Sequence, residues 1–259
     1  MRKRVTPILL TLVLAATLFP ALASAALKWG EFGSFGTATG QFNNPQGIAV
    51  DPSGNLYVAD ADNARIQLFS FTPQPEANAV FQLTWGTGGL GIGEFNFPSE
   101  VAQDADGNIY VSDTYNNRIV KYNSTGTVIL LQWGSHGHTE GLFYYPRGIA
   151  VDNDGVYVAD FYNKRMQMFT HLGVFVREWD VFGQYPWGVA TDGFGAIYVT
   201  CNNGGYIEVF DNEGNELAYW GGFGATNGKF SGPRGIAVDA LGNTYIADAN
   251  NHRVQMFRM

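Results

Sequence analysis

The sequence predicts an all-β fold, a β-propeller of four-stranded blades with five blades in the ring, and three observations carry that prediction. One phrase recurs five times, opened by Pro45, Pro98, Pro146, Pro186 and Pro233 at intervals of 53, 48, 40 and 47 residues. Such a period belongs to arrays of small β units. Each copy holds three short apolar runs parted by turn residues, and a fourth run built around a tryptophan lies between copies. The last copy stops at Met259 with no tryptophan run after it, while Leu27-Lys28-Trp29-Gly30 stands before the first. A ring closed by that N-terminal strand accounts for both ends and leaves no exposed sheet edge.

The elements follow in chain order. Arg2, Lys3 and Arg4 precede the apolar stretch Ile8 to Leu18, and Ala23-Ser24-Ala25 follows. This is the pattern of a secretory signal peptide over residues 1–25, so the chain is expected to be secreted, periplasmic or held at the cell surface. The apolar stretch is too short to span a bilayer comfortably, so no membrane insertion is expected once the leader is removed, a retained N-terminal anchor being the alternative. Residues 26–259 are read as one propeller domain. The first strand of each blade is Ile48-Ala49-Val50 or its counterpart, such as Ile149-Ala150-Val151. A turn such as Asp51-Pro52-Ser53-Gly54-Asn55 follows, rich in residues that accept left-handed conformations. The second strand carries Tyr57, Tyr110, Tyr157, Tyr198 or Tyr245, and the third ends at Phe69, Tyr122, Phe169, Phe210 or Phe257. These strands are apolar on both faces, as sheets packed between neighbours require. The fourth strands carry Trp85, Trp133, Trp179 and Trp220.

Charge narrows the partners. Without residues 1–25 the chain has 12 Lys and Arg against 23 Asp and Glu, a net charge near −11. Nucleic-acid affinity rests on basic groups neutralising phosphates, so no nucleic-acid partner is expected. The single cysteine, Cys201, allows no internal disulfide, and packing must supply the stability.

The recurring letters are Pro-x-Gly-Ile/Val-Ala-x-Asp, Gly-Asn-x-Tyr-Val/Ile-x-Asp and Asn-x-Arg-Ile/Val, and they resemble NHL repeats. Copies one, three and five match closely; copy two has Glu100 in place of glycine, and copy four has Cys201 and Tyr206 where the others have Asp and Arg. The resemblance implies a propeller for which six blades are the alternative to five. It implies either a binding scaffold or, as the alternative activity, a zinc-dependent lyase or hydrolase of the amidating-lyase or lactonase type.

Candidate residues divide accordingly. The recurring pairs Asp60 with Arg65, Asp113 with Arg118, Asp160 with Arg165 and Asp248 with Arg253 are read as ion pairs within blades, since copy four loses both members together. Asp104 to Asn108 and Asp152 to Gly155 lack the distal glutamate and helices of a calcium loop, and they are read as hairpins. His136, His138 and His252 all fall in loops on one face of the disc and form the alternative zinc set. No Gly-x-Ser-x-Gly elbow accompanies a serine, and no histidine neighbours Cys201, so no catalytic residue is named and no cofactor is expected.

The best candidates for ligand contact lie where the copies differ. The residue after each proline starts the innermost strand at the mouth of the channel, and there the copies read Gln46, Ser99, Arg147, Trp187 and Arg234. Adjacent loops add Tyr115, Phe161 and Tyr162, and Glu100 joins them. Aromatic and arginine groups on a loop face read as a recognition surface. The expectation is an exported, non-enzymatic, monomeric propeller that holds a protein, peptide or glycan partner through Arg147, Arg234, Trp187, Gln46, Glu100, Tyr115, Phe161 and Tyr162.

Overall fold

The computed structural model describes residues 32–71 and 79–258. They form five antiparallel sheets, each a consecutive meander. Blade 1 is β1 (Pro45–Val50), β2 (Leu56–Asp60), β3 (Arg65–Phe71) and β4 (Ala79–Trp85). Blade 2 is β5 (Pro98–Gln103), β6 (Ile109–Asp113), β7 (Arg118–Tyr122) and β8 (Ile129–Trp133). Blade 3 is β9 (Pro146–Val151), β10 (Val156–Asp160), β11 (Arg165–Phe169) and β12 (Phe175–Asp180). Blade 4 is β13 (Pro186–Thr191), β14 (Ile197–Cys201), β15 (Tyr206–Phe210) and β16 (Glu216–Gly221). Blade 5 has three described strands, β17 (Pro233–Val238), β18 (Asn243–Asp248) and β19 (Arg253–Arg258). The fold is the expected all-β propeller of five blades.

The first strand of each blade is innermost, packing in turn as β1 on β5, β5 on β9, β9 on β13 and β13 on β17. The core lies between blades. Trp85 meets Tyr57 of its own blade at 6.3 Å between centroids and Tyr122 of the next at 5.9 Å, and Trp133 repeats the arrangement with Tyr110 and Phe169. The tryptophan thus sits edge-on to the tyrosine of its own blade and tilted against an aromatic of the following blade, holding the outer strand to it.

The ring differs from expectation at one place. The closing strand expected at Leu27 to Gly30 lies outside the described residues, as do the leader and the Pro73–Pro75 insertion. The register nevertheless identifies which residues take the tryptophan–glycine place ahead of blade 1. Gly86 and Gly134 each sit nine residues before a buried phenylalanine, at φ of 94° and 90°, with a Cβ excluded by that ring. The residue two places after each forms a parallel bridge to the same phenylalanine, as in Gly88 to Phe95 and His136 to Phe143. Gly33 repeats this with φ 92°, Phe42 against its missing Cβ and a Phe35 to Phe42 bridge. Phe32, not Trp29, is therefore the counterpart of Trp85, and it packs on Phe69 at 5.0 Å as Trp85 packs on Tyr122. The Trp-Gly letters at 29 and 30 are three residues out of register.

Between blade 5 and blade 1 no described strand pairing or inner-strand packing matches that of the other blades. Ile48 is 62% exposed and Val254 69% exposed, although their counterparts Ile149 and Ile119 are buried. Among the described residues this sector bears apolar faces on both sides.

Candidate functional site

Each blade carries a short turn between its second and third strands, and one backbone bond ties it to the approach of the same blade. Asp62, Tyr115, Tyr162, Asn202 and Asn250 donate their N–H groups to the carbonyls of Asn43, Asn96, Tyr144, Tyr185 and Ser231 at 3.0–3.1 Å. These two loop sets thus share one face, the upper mouth, as alternating antiparallel connections require.

Beneath that face the Asp and Arg of the phrase form a common frame. The Nε of Arg65, Arg118, Arg165 and Arg253 lies 2.7–2.8 Å from Oδ2 of Asp60, Asp113, Asp160 and Asp248, and all four carboxylates are buried. The second carboxylate oxygen accepts the N–H of Asn43, Asn96, Tyr144 or Ser231. The guanidinium reaches on to carbonyls of the glycine-rich approach, for example Arg118 to Gly91 and Glu94 at 2.8 Å. Blade 4 keeps the function with other residues. Cys201, Tyr206 and Glu208 stand where blade 1 has Asp60, Arg65 and Gln67. There the buried Glu208 carboxylate accepts the N–H groups of Phe182 and Gly183, and it lies 3.4 Å from the Cys201 Sγ. Burial and the adjacent carboxylate push the Cys201 thiol well above its ordinary value, which leaves it a poor nucleophile. Glu208 carries no repeated motif, and the sequence reading missed it.

The mouth residues of blades 2 to 4 are set on strained backbone. The residue before every opening proline has positive φ: Asn44 at 55°, Phe97 at 58°, Tyr145 at 57°, Tyr185 at 56° and Gly232 at 57°. Asparagine and glycine suit that region, whereas a bulky aromatic there carries a cost of about 1–2 kcal/mol. Blades 1 and 5 use the residues that the backbone favours. Blades 2, 3 and 4 place an aromatic instead, and the three side chains join one surface.

That surface is continuous. Phe97 stacks on Tyr115 at 4.7 Å, Tyr115 meets Tyr145 at 5.0 Å, and Tyr145 meets Tyr162 at 5.5 Å. Tyr162 leads to Phe161 at 4.9 Å, and Phe161 meets Tyr185 and Trp187 at 5.3 Å each. At its end the Trp187 ring lies against two guanidiniums, Arg147 at 3.8 Å and Arg234 at 4.8 Å. Phe161 adds a second aromatic contact to Arg147 at 4.8 Å. Cation–π contacts of this kind hold arginine planes without neutralising them. Among the described residues neither arginine has a carboxylate within salt-bridge distance. Burial lowers the Arg147 pKa from its ordinary value, and the nearby Arg234 charge adds to the lowering.

Hydroxyl groups fix the two arginine positions from the preceding blade. Thr114 Oγ1 donates to the Pro146 carbonyl at 2.7 Å, and Ser99 Oγ reaches the Arg147 carbonyl at 3.2 Å. Thr200 Oγ1 donates to the Arg234 carbonyl at 2.6 Å. Neither threonine occupies a repeated polar position, so only the structure reveals this role.

The expected contact set therefore divides. Arg147, Trp187, Arg234, Phe161, Tyr162 and Tyr115 come together at the mouth. Gln46 bonds to Asn44 at 2.6 Å in blade 1 and lines the channel. The Glu100 side chain lies across Gly47 and lines the channel together with Gln46. The histidines divide as well. His136 and His138 are 6.0 Å apart between centroids and both pack on Tyr144, with His138 Nδ1 2.6 Å from Asn163 Oδ1. His252 ends the turn of blade 5 at φ 53°. Among the described residues no three His, Cys, Asp or Glu side chains converge as metal ligands.

The NHL repeat family profile matches residues 42–69, 95–122, 143–169 and 230–257, leaving out the fourth copy. Protein brain tumor of Drosophila melanogaster is 28% identical over 217 residues, covering 81% of this chain and 16% of that protein. Peptidyl-alpha-hydroxyglycine alpha-amidating lyase 1 of Drosophila melanogaster is 27% identical over 273 residues, covering 92% of this chain and 47% of that protein. The chain thus spans less than half the length of these curated relatives. Among solved structures, a streptogramin B lyase is similar in fold with a TM-score of 0.61 at 16% identity, over 84% of this chain and 64% of that one.

Proposed function

The chain belongs to the NHL-repeat β-propellers, and on that premise we propose that it is a non-enzymatic binding module whose upper mouth holds an acidic peptide segment of a partner protein. The observation that carries this reading is the strained aromatic series. Phe97, Tyr145 and Tyr185 occupy positions where blades 1 and 5 show that asparagine or glycine serves the fold. Ring contacts among Tyr115, Phe161 and Tyr162 offset part of that strain, and a ligand seated on the same exposed ring faces would offset the rest. The second support is the pair of guanidiniums flanking Trp187, held by stacking and free of carboxylate partners among the described residues. A ligand carboxylate between them relieves their mutual repulsion and gains charge-assisted hydrogen bonds. Tyrosine and tryptophan rings beside it supply contact area at low entropic cost.

The reading also places the module outside the cytoplasm as a monomer, with residues 1–25 as a cleaved leader. N-terminal sequencing of the exported protein tests that part: an intact Met1 refutes it.

The test of the site uses a peptide carrying several glutamates, a neutral glutamine version of it and an acidic oligosaccharide. Binding of the acidic peptide to the wild type, lost in Arg147→Ala with Arg234→Ala and absent for the glutamine peptide, supports the reading. Retained binding in the double variant refutes the site, and preference for the oligosaccharide refutes the ligand class. The competing zinc lyase reading draws on the similarity to the amidating lyase. Stoichiometric zinc in purified protein, lost on His136→Ala, would establish that alternative and overturn the present one.

A further inference from the structure

The channel itself contains a group that the mouth does not use. A cavity of about 350 Å³ is lined by residues of the inner strands of all five blades and of β18 and β19 in blade 5. Its wall is apolar, with Ile48, Val101, Ile149, Val189 and Ile236 among the lining side chains. Among the described residues of the lining the single ordinarily charged side chain is Glu100, and Tyr245 is the other titratable one.

Glu100 departs from the repeat at a position where substitution is difficult. The other four copies have glycine there: Gly47, Gly148, Gly188 and Gly235. At Gly148 and Gly188 a Cβ would collide with the backbone of the next inner strand, which explains the glycine. At position 100 a side chain is accommodated and lies over Gly47. An alanine there would meet the steric need as well, so packing does not explain a carboxylate.

Nor does a basic side chain among the described residues pair with it. The Glu100 carboxylate accepts only backbone N–H groups, from Val101 at 3.3 Å and from Ile48. Among the described residues no Lys, Arg or His lies within ion-pair distance of it. Burial pushes its carboxyl up to about 8, with the two N–H groups opposing the rise. An acid in an apolar channel is costly unless a positive charge joins it. Held near 8, the carboxyl is mostly protonated at neutral pH, and a cation beside it favours the ionised form. Among the described residues the wall supplies none, so a cationic ligand is the complement this site lacks.

We propose that the channel is a second binding site, independent of the mouth, that takes a small organic ammonium with its charge on Glu100 and its apolar body against Ile48, Val101, Ile149, Val189 and Ile236. The cavity volume suits a ligand of this kind, since small-molecule pockets begin at about 300 Å³. The mouth reading and this one rest on different residues and fail separately.

The experiment titrates phenethylammonium into wild type, Glu100→Gln and Glu100→Gly by calorimetry, with 3-phenylpropionate as the control of opposite charge. Glu100→Gly restores the residue of the other four copies, and circular dichroism verifies its fold. The expected result is binding of phenethylammonium to the wild type, weakened at least about tenfold in both variants, a difference of about 1.4 kcal/mol. 3-Phenylpropionate is expected not to bind, and Arg147→Ala with Arg234→Ala is expected to leave the ammonium affinity unchanged. No binding to the wild type, equal binding to Glu100→Gln, or equal affinity for the carboxylate probe would each overturn the proposal.

Discussion

In β11 of blade 3, Met166 is fully buried, while Val254 at the same position of β19 in blade 5 is largely exposed. The tyrosine of the second strand shows the same contrast, since Tyr157 is buried and Tyr245 is 37% exposed. One phrase thus yields two kinds of blade. In the arc of blades 2 to 4 the second and third strands of every sheet are buried on both faces almost throughout, and the mouth above them carries strained aromatics. On the flank formed by blades 5 and 1 faces lie open, and the mouth has relaxed Asn44 and Gly232. The difference teaches that rigidity and recognition occupy the same part of the ring. Covered sheets supply the packing energy that holds Phe97, Tyr145 and Tyr185 in an unfavourable conformation.

The largest effects should come from removing the buried carboxylate of the frame. Asp113→Ala leaves Arg118 nearly buried without its partner, and a loss of about 3–5 kcal/mol is expected in urea unfolding. Asp248→Ala should cost clearly less, because the side chain of Arg253 retains 26% exposure. Equal losses would show that the flank is as enclosed as the arc. Next come the apolar positions. Met166→Ala should cost about 2–5 kcal/mol, whereas Val254→Ala should stay within about 0.5 kcal/mol. A Val254→Ala loss as large as that of Met166→Ala would mean that the open sector is filled in solution.

A smaller effect of opposite sign is expected at the mouth. Tyr145→Gly and Tyr185→Gly relieve positive-φ strain, so stability should hold or rise by about 1 kcal/mol while affinity for the acidic peptide falls. A marked drop in melting temperature for either would assign the aromatics to packing rather than recognition. The smallest effect concerns pH. In Asp113 burial is the leading influence and holds the folded carboxyl above its ordinary value, against Asn96 N–H, Asn116 and Arg118. In Asp248 burial also acts upward, but Ser231 N–H, Asn251 and Arg253 outweigh it and the carboxyl lies below its ordinary value. Asp248 therefore adds stability above its unfolded pKa and loses it as pH falls; Asp113 titrates in the reverse sense and weakens the fold as pH rises past the unfolded value. Urea midpoints between pH 3 and 6 should show Asp248→Asn flattening the acid loss of stability and Asp113→Asn steepening it. Identical profiles would remove the electrostatic side of the comparison.

Much of this architecture was legible in the chain. The proline period and the tyrosine strands mark five blades, because inner-strand packing repeats the same demands at each step. The mouth cluster was legible too, since Arg147, Trp187 and Arg234 differ at a position where every blade opens on the channel. Other features were hidden for definite reasons. Phe32 was overlooked because Trp29-Gly30 mimics the motif, while the true marker is the nine-residue spacing from Gly33 to Phe42. Glu100 was grouped with the mouth because its side chain direction depends on the close approach of Gly47. The pre-proline strain was invisible because φ is not written in residue identity, and only the asparagine and glycine of blades 1 and 5 hint at it.

Blade 4 bears on how such chains are counted. Its carboxylate has crossed from the second strand to the third, from the place of Asp60 to that of Gln67, yet still gathers the amides of the approaching loop. What each blade inherits is a site of negative charge at a fixed point in space, with the letter that supplies it free to migrate across a strand pair. The family profile finds four repeats here, and matching by acceptor position finds five. Blades that have exchanged their acid in this manner will be passed over in other sequences, and an apparent gap of one period between two good repeats is where to look for them.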